Sequence, residues 1–159
     1  MSVAGGDLKK AMAEVRLALG RNVPVLAFDA CLMQMLEVMY EVKDAADIGV
    51  GTEDLMPFNG FPYQEFLSLL VNQPTQSPRA YAAALPQLFV NSYNQGSQGD
   101  EEVTLSALDL TRLGPAVQAL DARLRQNIAF AAHADFHSAR RTCQTFSCEH
   151  VPPLSSDDR

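Results

Sequence analysis

Short apolar segments that alternate with helical patterns set what this chain can fold into. The run from Val23 to Phe28 is apolar throughout, which is typical of a strand buried on both faces of a sheet. Residues 47–52 and 103–108 are two further candidate strands. Apolar side chains at helical spacing predict helices at residues 7–19, 32–42, 62–72, 78–93, 111–128 and 129–146. Strands that alternate with helices predict an α/β fold whose sheet is covered by helices.

Composition excludes several classes of protein. The net charge is −7, with 12 basic and 19 acidic residues, which disfavours a nucleic-acid partner because such proteins need a basic face. No apolar run reaches the ~18 residues of a membrane span, and the N-terminus has no apolar core of a signal peptide. We therefore expect no membrane span and a cytoplasmic location for the chain as written, whereas a longer precursor could be secreted. An odd, low cysteine count argues against a disulfide framework. The cysteines are Cys31, Cys143 and Cys148, and the C-x4-C spacing of the last two favours two unlinked thiols over a disulfide or a zinc site.

The first predicted strand ends at Asp29-Ala30-Cys31. In an extended segment the side chains of residues i and i+2 point to the same side, so Asp29 and Cys31 should face one crevice at the carboxyl ends of the strands. A helix that begins at Leu32 would direct its positive end and its free amides at Cys31, which favours a thiolate and an oxyanion. Asp29 would disfavour the thiolate, so it fits better as a receptor for a cation. The pattern predicts a nucleophile beside a pocket for a basic side chain, although a single cysteine at a strand end is more often a small buried hydrophobe.

A thiol nucleophile needs a base, which is usually histidine. The histidines of this chain are His133, His137 and His150. His133 and His137 are four residues apart and would share one face of a late helix. That spacing could hold a metal, but without a third ligand a solvated face is favoured. No sequence feature brings any of the three to Cys31.

Two longer stretches extend the Asp-Ala-Cys motif. The first is FDACLMQMLEVMYEVKDAADIGVGTEDLMPFNGFPY, from Phe28 to Tyr63, and the second is VTLSALDLTRLGPAVQALDARL, from Val103 to Leu124. The landmarks of the first stretch are Phe28 to Met33, Glu37, Glu53-Asp54 and Gly60 to Tyr63. The landmarks of the second stretch are Ser106 and Asp109-Leu110. Together they resemble the clostripain family (C11) of cysteine peptidases, which belongs to the caspase-like clan.

The resemblance implies a caspase-like three-layer α/β/α sandwich, of which this chain holds only part of the sheet. Residues 1–150 would be the C-terminal portion of a peptidase domain, and residues 151–159 an irregular tail. The implied activity is cleavage of peptide bonds after basic residues. The family's nucleophile corresponds to Cys31, and its acid of the S1 pocket, which binds the residue before the cleaved bond, corresponds to Asp29. No cofactor is implied except calcium, which affects some family members and for which no ligand set is evident here.

The chain departs from the family pattern in one respect. The family's catalytic histidine lies upstream of the cysteine in an Asp-His-Gly motif, and residues 1–30 contain no histidine. Three alternatives stay open: a second chain or N-terminal segment supplies the histidine, the protein is an inactive remnant or binding module for basic peptides, or an internal histidine substitutes. The segment Thr52-Glu53-Asp54 could carry a second S1 acid or be a solvated loop. Three strands would leave an open sheet edge, so we expect a chain that is poorly stable alone, dimeric, or completed by another segment.

Overall fold

The computed structural model describes residues 5–129 together with residues 138, 141 and 142. The elements in chain order are α1 (Asp7–Leu19), β1 (Leu26–Ala27), α2 (Leu36–Val42), β2 (Ile48–Gly51), α3 (Tyr63–Asn72), α4 (Pro78–Tyr93), β3 (Ser106–Asp109), a 3-10 turn (Leu110–Arg112) and α5 (Leu113–Ala129). The predicted alternation of helices and strands is confirmed. The predictions for residues 130–146 and for the tail lie outside the described residues.

The three strands form one mixed sheet in the order β1-β2-β3. β1 runs parallel to β2, with Leu26 opposite Gly49, and β2 runs antiparallel to β3, with Val50 opposite Ala107. An isolated bridge between Val23 and Ala46 continues the first pairing. Within the described range β2 is therefore the central strand, and β1 has an edge that pairs with no other strand.

Helices cover both faces of the sheet. On one face the apolar side chains of α1, α2 and the start of α5 form a core around Met39 and Val42, which are fully buried. On the other face α3 and α4 form a second core around Phe89 and Tyr93, which are also fully buried. This arrangement confirms the three-layer α/β/α sandwich, with a partial sheet in its middle layer.

The central strand shows how the two cores meet at the sheet. Ile48 and Val50 point into the core beneath α3 and α4. Gly49 faces the opposite side, where a Cβ atom would lie only 2.3 Å from Sδ of Met39. A glycine at this position therefore lets α2 pack directly against the backbone of the central strand.

Three predicted elements have wrong boundaries. The helix expected from Leu32 begins at Leu36, because the backbone of Leu32 is left-handed (φ 60°) and that of Met35 is extended (φ −60°, ψ 140°), and neither conformation is helical. The first strand is confined to Leu26–Ala27 rather than spanning residues 23–28. The third strand lies slightly later than residues 103–108.

No helix in residues 5–129 is long and apolar enough to cross a membrane.

The core beneath α4 should dominate the stability of this half of the molecule. Phe89 has 0% of its surface exposed, so Phe89→Ala should lower the free energy of unfolding by about 3–5 kcal/mol through lost burial and a residual cavity. Leu17 is 84% exposed, so Leu17→Ala should change that free energy by no more than about 0.5 kcal/mol. Denaturant unfolding followed by circular dichroism measures both, and equal effects would contradict this description of the core.

Candidate active site

Cys31 lies in a turn that is hydrogen-bonded to the segment after β2. The amide of Leu32 donates to the carbonyl of Asp54, and the amide of Gln34 donates to the carbonyl of Thr52, each at 3.0 Å. Leu32 has φ 60°, a left-handed conformation that costs a non-glycine residue about 1–3 kcal/mol and that is often found at functional sites. The two long-range hydrogen bonds hold the turn in this conformation.

The sulfur of Cys31 is exposed and has one backbone donor. The amide of Met56 donates to its Sγ at 3.2 Å, which fixes the direction of the side chain. In the part of the chain that the structure describes, the amide of Cys31 itself meets no hydrogen-bond acceptor. A carbonyl oxygen that approaches the sulfur could therefore accept from this amide.

The predicted helix N-terminus at Cys31 is not present. The short helix α2 starts only at Leu36, and the amides of Leu32 and Gln34 are already used. The amide of Cys31 is one donor that is left for an oxyanion at the sulfur, and the helix dipole of α2 is displaced from the sulfur by the intervening turn.

Asp29 contacts the same loop as Cys31, a little further along the chain. Its Oδ2 accepts from the hydroxyl of Tyr63 at 2.7 Å and from the amide of Phe61 at 3.4 Å. The carboxylate also lies against Gly60, where a Cβ atom would stand 2.6 Å from Oδ2. Segment 56–63 thus receives both Asp29 and Cys31, which places an acid and a thiol beside one surface loop.

The acidic segment after β2 supports the site without contacting Asp29. The side chain of Thr52, 1% exposed, shares a hydrogen bond of 3.1 Å with the hydroxyl of Thr104, and Glu53 accepts from the hydroxyl of Ser106 at 2.5 Å. Asp54 accepts from the amide of Leu55. These bonds tie the segment to β3 and to its own turn. Whether one of its acids lines the S1 pocket stays a prediction.

A second layer of polar contacts holds the loop at Gly60. The hydroxyl of Tyr93, at the end of α4, donates to the carbonyl of Gly60 at 2.9 Å. The side-chain amide of Gln98 donates to the carbonyl of Phe61 at 3.1 Å, and that of Asn59 donates to the carbonyl of Gln98 at 2.9 Å. Sequence reasoning gave none of these residues a role, and Gln98 lies in a polar, glycine-rich loop whose composition carries no signal for one.

The landmarks of the second motif lie at opposite ends of β3. Ser106 pairs with Gly51 at the end of the sheet near the site, whereas Asp109 pairs with Ile48 at the far end. The Thr111 hydroxyl and the Arg79 guanidinium hold the pKa of Asp109 below its ordinary value of 3.8. Asp109 therefore links β3 to α4 and caps the following turn, away from the candidate site.

Metal ligands and a base are the remaining elements of the predicted chemistry. Among residues 5–129, no three histidine, cysteine or acidic side chains lie close enough to hold a metal ion. The predictions for His133, His137 and His150, and for Cys143 and Cys148 as unlinked thiols, lie outside the described residues.

The contact between Tyr63 and Asp29 should be visible in a pH titration. The hydrogen bond to Asp29, followed by burial and by the carboxylate's charge, raises the pKa of Tyr63 above its ordinary value of 10.0. Asp29→Asn should therefore lower this pKa, measured from the ultraviolet absorbance of the phenolate. Because the folded pKa is the raised one, the stability from this contact is present below pH 10 and lost as pH rises through the folded pKa. An unchanged titration in Asp29→Asn would show that the two groups are not in contact.

Comparison with known proteins gives the same fold. The chain resembles a clostripain from Bacteroides thetaiotaomicron solved with a peptide inhibitor, with 22% identity and a TM-score of 0.52, over 67% of this chain and 44% of that chain. A cysteine protease of B. fragilis is similar at 20% identity and a TM-score of 0.54, over 71% of this chain and 45% of that chain. An inactive zymogen C11 protease from Parabacteroides distasonis matches at 25% identity and a TM-score of 0.50, over 65% of this chain and 28% of that chain.

These matches also show how much of a relative this chain represents. The chain spans less than half the length of each of these solved proteins. No curated protein matches it at a significant level. The model of the clostripain family (peptidase C11) matches residues 3–149, nearly the whole sequence. The chain therefore belongs to the clostripain family.

Proposed function

We propose that this chain is the nucleophile-bearing part of a cysteine endopeptidase that cleaves peptide bonds after basic residues. The observation that carries the proposal is the placement of Asp29 and Cys31 against one loop, segment 56–63, directly after β1. Membership of the clostripain family supports a peptidase. The choice of a basic residue before the cleaved bond rests on the negative charge of Asp29 and its exposed position.

The chemistry follows from the atoms around Cys31. The thiolate of Cys31 attacks the carbonyl carbon of the scissile bond, and the amide of Cys31 donates to the oxyanion that forms. The carbon–nitrogen bond then breaks, the amine leaves with a proton from a histidine, and an acyl thioester remains on the sulfur. Water hydrolyses this thioester, which releases the carboxylic acid and returns the thiol.

A segment from outside this chain would supply the histidine. β1, the strand that precedes Cys31, lies at an edge of the described sheet, and Ala27 is exposed there. Because an unpaired strand edge presents free amides and carbonyls, a further strand can pair with it and bring a base towards the turn at Cys31. The short span of this chain relative to its solved relatives fits a domain completed in this way.

Replacement of the nucleophile tests the activity. In the complete protein, including the segment that carries the histidine, Cys31→Ala should reduce kcat by at least about a thousand-fold on reporters with Arg or Lys before the cleaved bond. Cys143→Ala provides the matched control and should keep full activity. Undiminished cleavage by Cys31→Ala would contradict the proposal. A binding module for basic peptides would instead bind such reporters without turning them over, whichever cysteine is present.

Replacement of the acid tests the specificity. Asp29→Ala should lower kcat/KM by about ten- to a hundred-fold on basic reporters, because the cation loses its charged partner. Reporters with a neutral residue at that position should change little. Asp44→Ala removes another exposed acid, whose partner is Lys43, and it should leave both kinds of reporter unaffected. An equal loss on basic and neutral reporters would exclude Asp29 as the specificity residue.

A further inference from the structure

We propose that Tyr63 is a positioning residue, whose hydroxyl fixes the Asp29 carboxylate for the cation of the substrate. This inference rests on the proposed function, because it assumes that Asp29 is the receptor for a basic side chain. It assigns a role to the aromatic residue that ends the Gly-Phe-Pro-Tyr motif and begins α3.

The first support is that the described residues donate hydrogen bonds to only one of the two carboxylate oxygens of Asp29. Both donors that Asp29 meets, the hydroxyl of Tyr63 and the amide of Phe61, bond to Oδ2. No donor from the described residues meets Oδ1. A carboxylate has lone pairs on both oxygens, so Oδ1 can accept from an ammonium or guanidinium group while Oδ2 stays bound to the protein.

The second support is the rigidity of the surface behind the carboxylate. Gly60 has φ +64°, a conformation that disfavours side chains, and a Cβ atom there would displace both carboxylate oxygens. The carbonyl of Gly60 is held by the Tyr93 hydroxyl, which is buried, and the neighbouring carbonyl of Phe61 is held by Gln98. The carboxylate therefore rests on a fixed backbone surface, and the Tyr63 hydroxyl holds it there from the side.

The third support is the exposure of Tyr63. Its side chain is 56% exposed, and its aromatic contact with Phe61 is an edge contact at 6.1 Å between ring centres. Burial of the ring alone does not account for a hydroxyl directed at Asp29. Tyr63→Phe therefore removes the donor while it leaves the apolar contacts of the ring in place.

Ligand binding to the complete protein, including the segment that completes the sheet, tests the inference without the need for catalysis. The probes are benzamidine, a cation that resembles an arginine head group, and benzamide, its neutral counterpart of similar shape. Nuclear magnetic resonance titrations give both dissociation constants for the wild type, Asp29→Asn, Tyr63→Phe and Tyr40→Phe. Tyr40 is the matched control, a partly exposed tyrosine whose ring lies 4.8 Å from the ammonium of Lys43 and not beside Asp29.

The expected result is a graded loss of cation preference. The wild type and Tyr40→Phe should prefer benzamidine to benzamide, Asp29→Asn should lose the preference, and Tyr63→Phe should reduce it about five-fold, as expected for one hydrogen bond to an exposed charged group. Benzamide binding should stay the same in all four proteins, because benzamide carries no charge for Asp29 to bind. It also serves as the control for folding, since a variant that loosened the fold would weaken the binding of both probes.

Other results would overturn the inference and separate it from the proposed function. If Asp29→Asn loses the preference and Tyr63→Phe keeps it or increases it, Asp29 remains the receptor and Tyr63 does not position it. If the wild type shows no preference for benzamidine, Asp29 is not a receptor for cations, and both the inference and the proposed basic specificity fail. Equal weakening of both probes by Tyr63→Phe would assign that residue a purely structural role.

Discussion

The candidate site depends on two backbone hydrogen bonds that join the turn after β1 to the segment after β2. The amides of Leu32 and Gln34 donate to the carbonyls of Asp54 and Thr52, and these bonds hold the turn with its left-handed Leu32 that precedes α2. The same bonds bring segment 56–63 alongside the turn, where it receives both the sulfur of Cys31 and the carboxylate of Asp29. A site built by long-range backbone bonds between two parallel strands explains why the acid and the thiol lie together at the carboxyl end of the sheet.

The order of helices and strands could be predicted from the sequence, and local chemistry also marks some of the helix ends. Ser77 caps α4 by accepting from the amide of Ala80, and Gly20 ends α1 in a left-handed conformation. The start of α2 could not be predicted in this way, since it is set by the non-helical backbone of Leu32 and Met35, and no local sequence pattern signals a left-handed leucine. Short strands such as β1 are equally hard to predict, because only pairing with β2 defines their ends.

The positions of the two candidate site residues were predictable in part. The Asp-Ala-Cys spacing named the two side chains, and extended geometry placed both at the strand end. Their partners come from far along the chain: Tyr63 is 34 residues beyond Asp29, and Met56 is 25 residues beyond Cys31. No local pattern reports such contacts. Together they give Asp29 a fixed orientation and Cys31 an exposed sulfur, the two properties that a peptidase selective for basic residues would require.

Covalent labelling of the complete protein tests the central claim most directly. Two peptidyl chloromethyl ketones would be compared, one ending in lysine and one ending in norleucine, which has a similar shape without the charge. Mass spectrometry then gives the labelling rate at each cysteine. A nucleophile beside an acidic pocket predicts that Cys31 is labelled first and that the lysine probe reacts faster than the norleucine probe. Equal rates for the two probes, or labelling of Cys143 or Cys148 as fast as Cys31, would contradict this account.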